Sequence, residues 1–189
     1  MSYIRAGVRR RLARLYIGRS GVMCCLCGKR SGRFLSFRGG LRSAPPLILA
    51  LDIIGSDIDN FTCPWCGSID RDRHLYLYWE RLGLLDKFHG ANILHFAPET
   101  MLSKVIIERN PALLIRCDLS PSKPDIEKID MLAIPYSDAM FDIVISNHVL
   151  EHVADDGTAL RELHRVLKPG GFAILQTPFC AKLEHTFSD

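Results

Sequence analysis

The sequence predicts an α/β protein, a Rossmann-like parallel sheet with flanking helices, preceded by a small zinc ribbon. Three observations carry this. From Gly90 onward short apolar segments alternate with amphipathic helical ones, the pattern of βαβ units and a parallel sheet. Polar residues close several of the apolar segments, at the strand ends where such sheets bind ligands. Upstream, four of the seven cysteines form two Cys-x-x-Cys pairs.

The chain of 189 residues has room for one ordinary domain plus a small module. A hydrophobic content of 48% against 24% charged residues is that of a globular chain, not a disordered one. No stretch approaches the roughly 20 apolar residues of a membrane helix. The longest apolar run, Leu47 to Leu51, stops at Asp52. The basic N-terminus lacks the apolar core and cleavage site of a secretory signal, so the expected location is cytoplasmic, with no membrane span.

The net charge of +3 hides an asymmetry: residues 1–42 hold 11 of the 24 basic residues and no acid. The remainder carries 13 bases against 21 acids. A basic head on an acidic body suits an anionic partner, although a solvated helix face is the commoner cause of such a run.

The elements follow in order. Residues 1–20 read as a basic amphipathic helix, with Ile4, Val8, Leu12 and Leu15 on one stripe. Residues 21–70 form the ribbon, punctuated by Gly and Pro and enclosing the apolar segment PPLILALDII. Residues 71–89 read as a connecting helix, capped by Asp70, with Leu75, Tyr78, Trp79, Leu82 and Leu85 sharing a face. Residues 90–189 form the α/β domain. In it ANILHF is a strand, PETMLSKVIIERN a helix and ALLIRC a strand ending at Asp118. A short strand lies near Ile129, FDIVIS is a buried strand, GTALRELHRVLK is a helix stopped by PGG, and FAILQT is the next strand.

Cys24-x-x-Cys27-Gly and Cys63-Pro-Trp-Cys66-Gly each place two thiols on one tight turn, and two such turns make a four-sulfur cage suited to structural zinc. Each following glycine relieves crowding at the turn. The gap of 35 residues between the pairs is long for a ribbon, and Cys25 offers a second register with shorter spacing. A redox pair accounts for only one Cys-x-x-Cys at a time. Cys117 and Cys180 read as core thiols.

In the α/β domain, the strand ends carry His95-Phe96-Ala97-Pro98-Glu99, Asp118, and Ser146-Asn147-His148. A carboxylate at the end of the second strand, about 20 residues past the first strand–helix turn, is placed to accept two ribose hydroxyls. A turn cap before Ser120-Pro121 is the competing reading of Asp118. His148 and His152, four residues apart, fall on one face if the segment is helical, and are candidate bases or, with Glu151, metal ligands.

FDIVISNHVLEHVADDGTALRELHRVLKPGGFAILQTPF resembles the motif IV to motif V stretch of the type 11 group of class I S-adenosylmethionine-dependent methyltransferases. CDLSP and KIDMLAIPYSDAMFD resemble its ribose-acid and adenine-loop segments. HFAPE, DRDRHLYLYWERL and the paired cysteines are similar to a bacterial subgroup in which a zinc ribbon precedes the methyltransferase. The resemblance spans roughly residues 20–189.

It implies the methyltransferase fold and methyl transfer from S-adenosylmethionine to a small-molecule or glycan-type acceptor. It also implies that His95, Ala97 and Glu99 lie near the methionine part of the cofactor, that Asp118 holds the ribose, and that Asp130 and Met131 flank the adenine. Asn147 and His148 line the floor between cofactor and acceptor, with His148 catalytic. Two departures stand out. Ala97 and Glu99 fill positions that are glycine in the usual motif I. The chain also stops within 13 residues of FAILQT, so the domain is expected to lack its last strands and to turn over weakly. The alternative function is a non-catalytic module whose basic N-terminus and ribbon bind nucleic acid or protein, and a third reading makes RNA the methyl acceptor.

Overall fold

The computed structural model describes residues 2–15, 21–46, 50, 55–180 and 182–183. The end of the predicted N-terminal helix, residues 16–20, and most of the PPLILALDII segment lie outside the described residues. The chain divides into two compact units, residues 1–78 with 179–189, and residues 79–178.

The first unit begins with helix α1, Ser2–Leu15. Of the predicted apolar stripe, Val8 and Leu12 are 50% and 61% exposed, and Ala13 beside them is buried. The helix has a polar anchor. Arg14 donates through Nε and Nη2 to the Pro64 carbonyl at 3.0 and 2.7 Å, and its guanidinium lies 4.5 Å from the Trp65 ring centre. The Gly32 amide also donates to the Ala13 carbonyl at 3.1 Å. Strands β1, Val22–Met23, and β2, Arg30–Ser31, form an antiparallel pair.

The predicted helix over residues 71–89 is two helices, α2 (Asp70–Arg81) and α3 (Leu84–Lys87). They part at Gly83, whose φ of 66° is a left-handed conformation that glycine adopts without penalty. Asp70 is the first helical residue and not the cap, and the Asp72 carboxylate accepts from the Ile69 amide at 3.0 Å. On the predicted face Leu75, Trp79 and Leu85 are buried, but the break leaves Tyr78 and Leu82 about half exposed.

The second unit is a five-stranded parallel sheet in the order β5-β4-β3-β6-β7. Its strands are β3 (Asn92–Phe96), β4 (Leu113–Asp118), β5 (Glu127–Lys128), β6 (Phe141–Asn147) and β7 (Leu167–Gln176). Helix α4, Thr100–Glu108, follows β3, and α5, Asp156–Val166, follows β6. This is the predicted Rossmann-like arrangement. The chain works outward from β3 to β5 and then returns to place β6 on the other side of β3, so the topological switch falls between β3 and β6.

The two central strands are buried on both faces, as parallel sheets require. Leu94, Phe96, Cys117, Phe141 and Val144 pack with Ala159, Leu163 and Val166 of α5 into one core. Asp155 caps α5 by accepting from the Thr158 amide.

PGG does not end α5. The helix stops at Val166 and β7 begins at once, pairing Leu167 with Phe141. Between Leu167 and Phe172 the strand advances five residues while β6 advances two, from Phe141 to Ile143. Lys168 to Gly171 take up the difference as a bulge. Gly170 sits at φ 82°, and a Cβ on Gly171 would lie 2.8 Å from the Asp142 carbonyl oxygen.

Arg165 then clamps α5 to the preceding loop. It donates to the Ile134 and Tyr136 carbonyls at 2.8 and 2.7 Å and to both oxygens of Glu162, while Glu162 accepts from the Ile134 amide. The hydrogen bonds from Arg165 hold the Glu162 carboxyl down at about 2, against an ordinary value of 4.5. A carboxyl depressed on folding contributes stability above its unfolded pKa and loses it as pH falls through the folded one. Glu162→Gln is therefore expected to lower the melting temperature near neutral pH and to flatten its decline between pH 4.5 and about 2. Thermal melts of both proteins across that window check this; parallel curves would show that the clamp does not govern acid sensitivity.

Candidate functional site

The first unit brings the four predicted cysteines together. The sulfur atoms of Cys24, Cys27, Cys63 and Cys66 all lie within 4.8 Å of one another, with 3.8 Å between Cys24 and Cys66 and 3.9 Å between Cys27 and Cys63. A tetrahedral zinc with bonds of about 2.3 Å implies sulfur–sulfur edges of about 3.8 Å, so the donor set fits that ion.

The two knuckles are built alike: the Gly28 amide donates to the Cys24 carbonyl at 2.8 Å, and the Gly67 amide to that of Cys63 at 3.0 Å. The glycines serve conformation and not space. Their φ angles are 68° and 80°, and a Cβ at either meets nothing within 4 Å. Cys25 lies outside the cluster, its thiol 3.6 Å from the Arg73 carbonyl, and Cys24 lies inside it.

Two supporting residues were not legible in the spacing. The Ser68 hydroxyl lies 3.5 Å from the Cys24 sulfur and 3.1 Å from that of Cys66. Buried Arg73 donates to the carbonyls of Asn60, Phe61 and Ser68 at 2.6, 3.1 and 2.9 Å and lies 3.9 Å over the Phe34 ring. The neighbouring Cys63 thiol draws the Cys24 thiol below its ordinary value, and the same interaction pushes Cys63 up.

In the second unit, the carboxyl ends of the strands form one edge. Parallel pairing sets Phe96 beside Ser146 and Cys117 beside Phe96. His95 is fully buried and its Nε2 lies 3.1 Å from Glu99 Oε2, while Asn147 donates from Nδ2 to Glu99 Oε1. Glu99 thus straddles the switch between β3 and β6 and engages both of its oxygens within the chain. Ala97 holds a φ of 45°, the left-handed backbone a glycine would take there, and its amide donates to the Cys117 carbonyl at 2.8 Å.

Asp118 closes β4. Its Oδ1 accepts from the Ser120 amide at 2.7 Å, so the turn-cap role is present and occupies one oxygen. Asp130 is exposed and caps the Leu132 amide through Oδ1. Met131 belongs to the hydrophobic core, at 3% exposure. Several buried polar atoms at this edge lack a hydrogen-bond partner: His95 Nδ1, Ser146 Oγ, Asn147 Oδ1 and Gln176 Oε1. Gln176 is the one of these not singled out in the sequence; it is a polar residue near the end of an otherwise apolar strand.

The histidine pair departs from expectation. His148 sits at φ 55° and only Leu150–His152 form a short 3₁₀ turn, so His148 and His152 do not share a helix face. His148 Nδ1 instead meets Glu151 Oε1 at 3.0 Å. Among the described residues, the four cysteines are the cluster with metal-binding geometry; His148, Glu151 and His152 do not form one.

Residues 89–175 match the family model described as a methyltransferase domain. Over 95 residues the chain is 32% identical to a demethylmenaquinone methyltransferase of Corynebacterium glutamicum, covering 46% of this chain and 41% of that protein. Over 125 residues it is 31% identical to a ubiquinone biosynthesis O-methyltransferase of Ruegeria pomeroyi, covering 64% of this chain and 50% of that one. It is also similar to the solved structure of an S-adenosylmethionine-dependent methyltransferase from Mesorhizobium loti, with a TM-score of 0.44 and 22% identity over 52% of each chain. The chain spans about half the length of the curated relatives it matches. The family match falls on the strand-and-helix segment that builds the five-stranded sheet.

A left-handed alanine costs about 1 kcal/mol relative to glycine. Ala97→Gly is therefore expected to preserve or raise stability by up to about that amount, and Ala97→Val to lower it. Urea unfolding of the two variants is the measurement; a marked loss on Ala97→Gly would mean that the Ala97 methyl packs and does not merely tolerate the turn.

Proposed function

We propose that the chain carries the cofactor half of an S-adenosylmethionine-dependent methyltransferase, and that its acceptor is a small molecule. The observation that carries this is the convergence of Glu99 and Asn147 across the β3–β6 switch, in a segment that matches the methyltransferase domain. The orphaned polar atoms at the same edge support a polar ligand there, since buried groups of this kind are normally satisfied.

The second oxygen of Asp118 is available for ribose hydroxyls, with the first fixed by Ser120. Asp130 and the backbone beside Met131 flank the adenine, the Met131 side chain supporting that wall from within the core. His95 and Asn147 orient Glu99, whose carboxylate faces the cofactor's ammonium group, and Ala97 permits close approach of the backbone. When bound, the cofactor supplies an electrophilic sulfonium methyl; the chain's residues position donor and acceptor and exclude water. His148, its ring oriented by Glu151, is the candidate base for the acceptor proton. The names of the relatives place their methyl transfers in menaquinone and ubiquinone chemistry, which supports a small organic acceptor over a macromolecule.

Calorimetric titration with S-adenosylhomocysteine tests the reading. Saturable binding is expected, weakened about tenfold or more by Asp118→Ala, which removes a charged hydrogen-bond acceptor. His148→Asn should leave that affinity within about twofold, as befits a base that does not hold the cofactor. Absence of binding by well-folded protein would turn the reading toward the non-catalytic module, with the basic ribbon unit engaging nucleic acid or protein.

We also propose that Cys24, Cys27, Cys63 and Cys66 hold one structural zinc. All four positions are protein thiols, which leaves none open for water or substrate. Purified protein is expected to contain one zinc per chain, released by a thiol-modifying reagent. Cys24→Ser or Cys63→Ser should lose the metal, whereas Cys25→Ser should retain it; zinc retention by Cys24→Ser would move the site into the Cys25 register.

A further inference from the structure

Helix α4 and strand β4 enclose a cavity of about 130 Å³ that the methyl-transfer reading does not use. Thr100, Ser103 and Lys104 line it from α4, Arg116 from β4, and Lys123 from the loop that follows. Three cations and no carboxylate face it. On this measure about 10–15 Å³ holds one water, so there is room for several. That is enough for a tetrahedral oxyanion.

Two independent features point to an anion. Ser103, one of the lining residues, is 3% exposed, and its buried hydroxyl makes no hydrogen bond. A buried hydroxyl is normally satisfied, so a ligand oxygen is the partner it lacks. The cavity also adjoins the first turn of a nine-residue helix that has neither a side-chain cap nor an acid in that turn. Glu99, at the cap position, is turned instead toward His95 and Asn147. The partial positive charge of the helix end is thus left for an anion to offset.

The present partners of the cations are weak or exchangeable. Arg116 pairs with Asp125 at 2.9 Å, and Asp125 is 54% exposed; Lys104 lies 3.7 Å from Glu108, and both of these side chains are largely exposed. Arg116 is suited to grip two oxygens of one phosphate through its planar fork. Arg116 also stands two residues before Asp118 on the same strand, so the cavity opens on the sheet face that Asp118 shares.

We propose that this cavity binds a single phosphate-type oxyanion through Arg116, Lys123, Ser103 and the first turn of α4, either as free phosphate or as the phosphate of a larger ligand whose remainder lies outside. The proposal does not rest on the methyltransferase reading, and its test separates the two. Zinc-replete full chain is titrated by calorimetry with inorganic phosphate, with glucose 6-phosphate and, separately, with S-adenosylhomocysteine, chloride holding the ionic strength constant.

Saturable phosphate binding is expected. Arg116→Gln should weaken it about tenfold and Lys123→Gln by a smaller factor, while Asp125→Asn, which frees Arg116 from a competing carboxylate, should tighten it. The affinity for S-adenosylhomocysteine should stay within about twofold in all three. Equal affinity for the two phosphate probes identifies free phosphate as the ligand; tighter binding of the sugar phosphate identifies the phosphate of a larger molecule. No saturable binding of either, or binding unchanged in both Arg116→Gln and Lys123→Gln, overturns the proposal. Lys123 is an exposed loop residue, so its variant decides the matter should Arg116→Gln fail to fold. Phosphate binding without S-adenosylhomocysteine binding would uphold the oxyanion site and refute the cofactor site.

Discussion

The candidate cofactor site depends on the in-register parallel pairing of β3 with β6. Ile93 to Phe96 lie beside Ile143 to Ser146 residue for residue, and both strands run the same way. Parallel strands must end at one edge, so everything polar at their carboxyl ends is gathered there. The two-residue period then decides which side chains meet. His95 and Asn147 fall on one face of the sheet, and Leu94, Phe96 and Val144 on the other, where they pack against α5. A slip of one residue would turn His95 into the core and Phe96 toward Glu99, so the apolar core holds the polar site in place.

The first unit is organised on a different principle. Its described polar contacts centre on thiols and guanidinium groups. Arg73 satisfies three backbone carbonyls from a buried position, and Arg14 ties α1 to the second knuckle. Positive charge therefore does structural work within this unit before any partner is considered. Even so, residues 1–78 with 179–189 carry 14 basic and 7 acidic residues, against 10 and 14 in residues 79–178. The surplus stays in the first unit, with Arg9, Arg10 and Arg11 exposed on α1.

Where sequence reading and structure part, the cause is usually a residue whose local preference is overridden. PGG reads as a helix stop, yet it shapes a bulge, because β7 starts as soon as α5 ends and the extra residues must leave the ladder. His148 and His152 read as helical neighbours, yet a left-handed turn at His148 separates them. The stripe on α1 reads as a packing face, yet the helix is seated by Arg14 and Ala13. Each of these outcomes needs knowledge of what lies opposite the residue, which periodicity does not contain.

The sequence by itself determined the alternation of strands and helices, the buried character of FDIVIS, and the pairing of the four cysteines across a long gap. These follow from apolar period, from turn chemistry and from ligand spacing, all local properties of the chain. Tertiary structure alone decided that Glu99 joins His95 to Asn147, that Ser68 and Arg73 brace the thiols, and that Ser103, Arg116 and Lys123 line one cavity. These residues stand up to 48 positions apart, as Glu99 and Asn147 do, and only the register of the sheet and the seating of the loops on it bring them within reach.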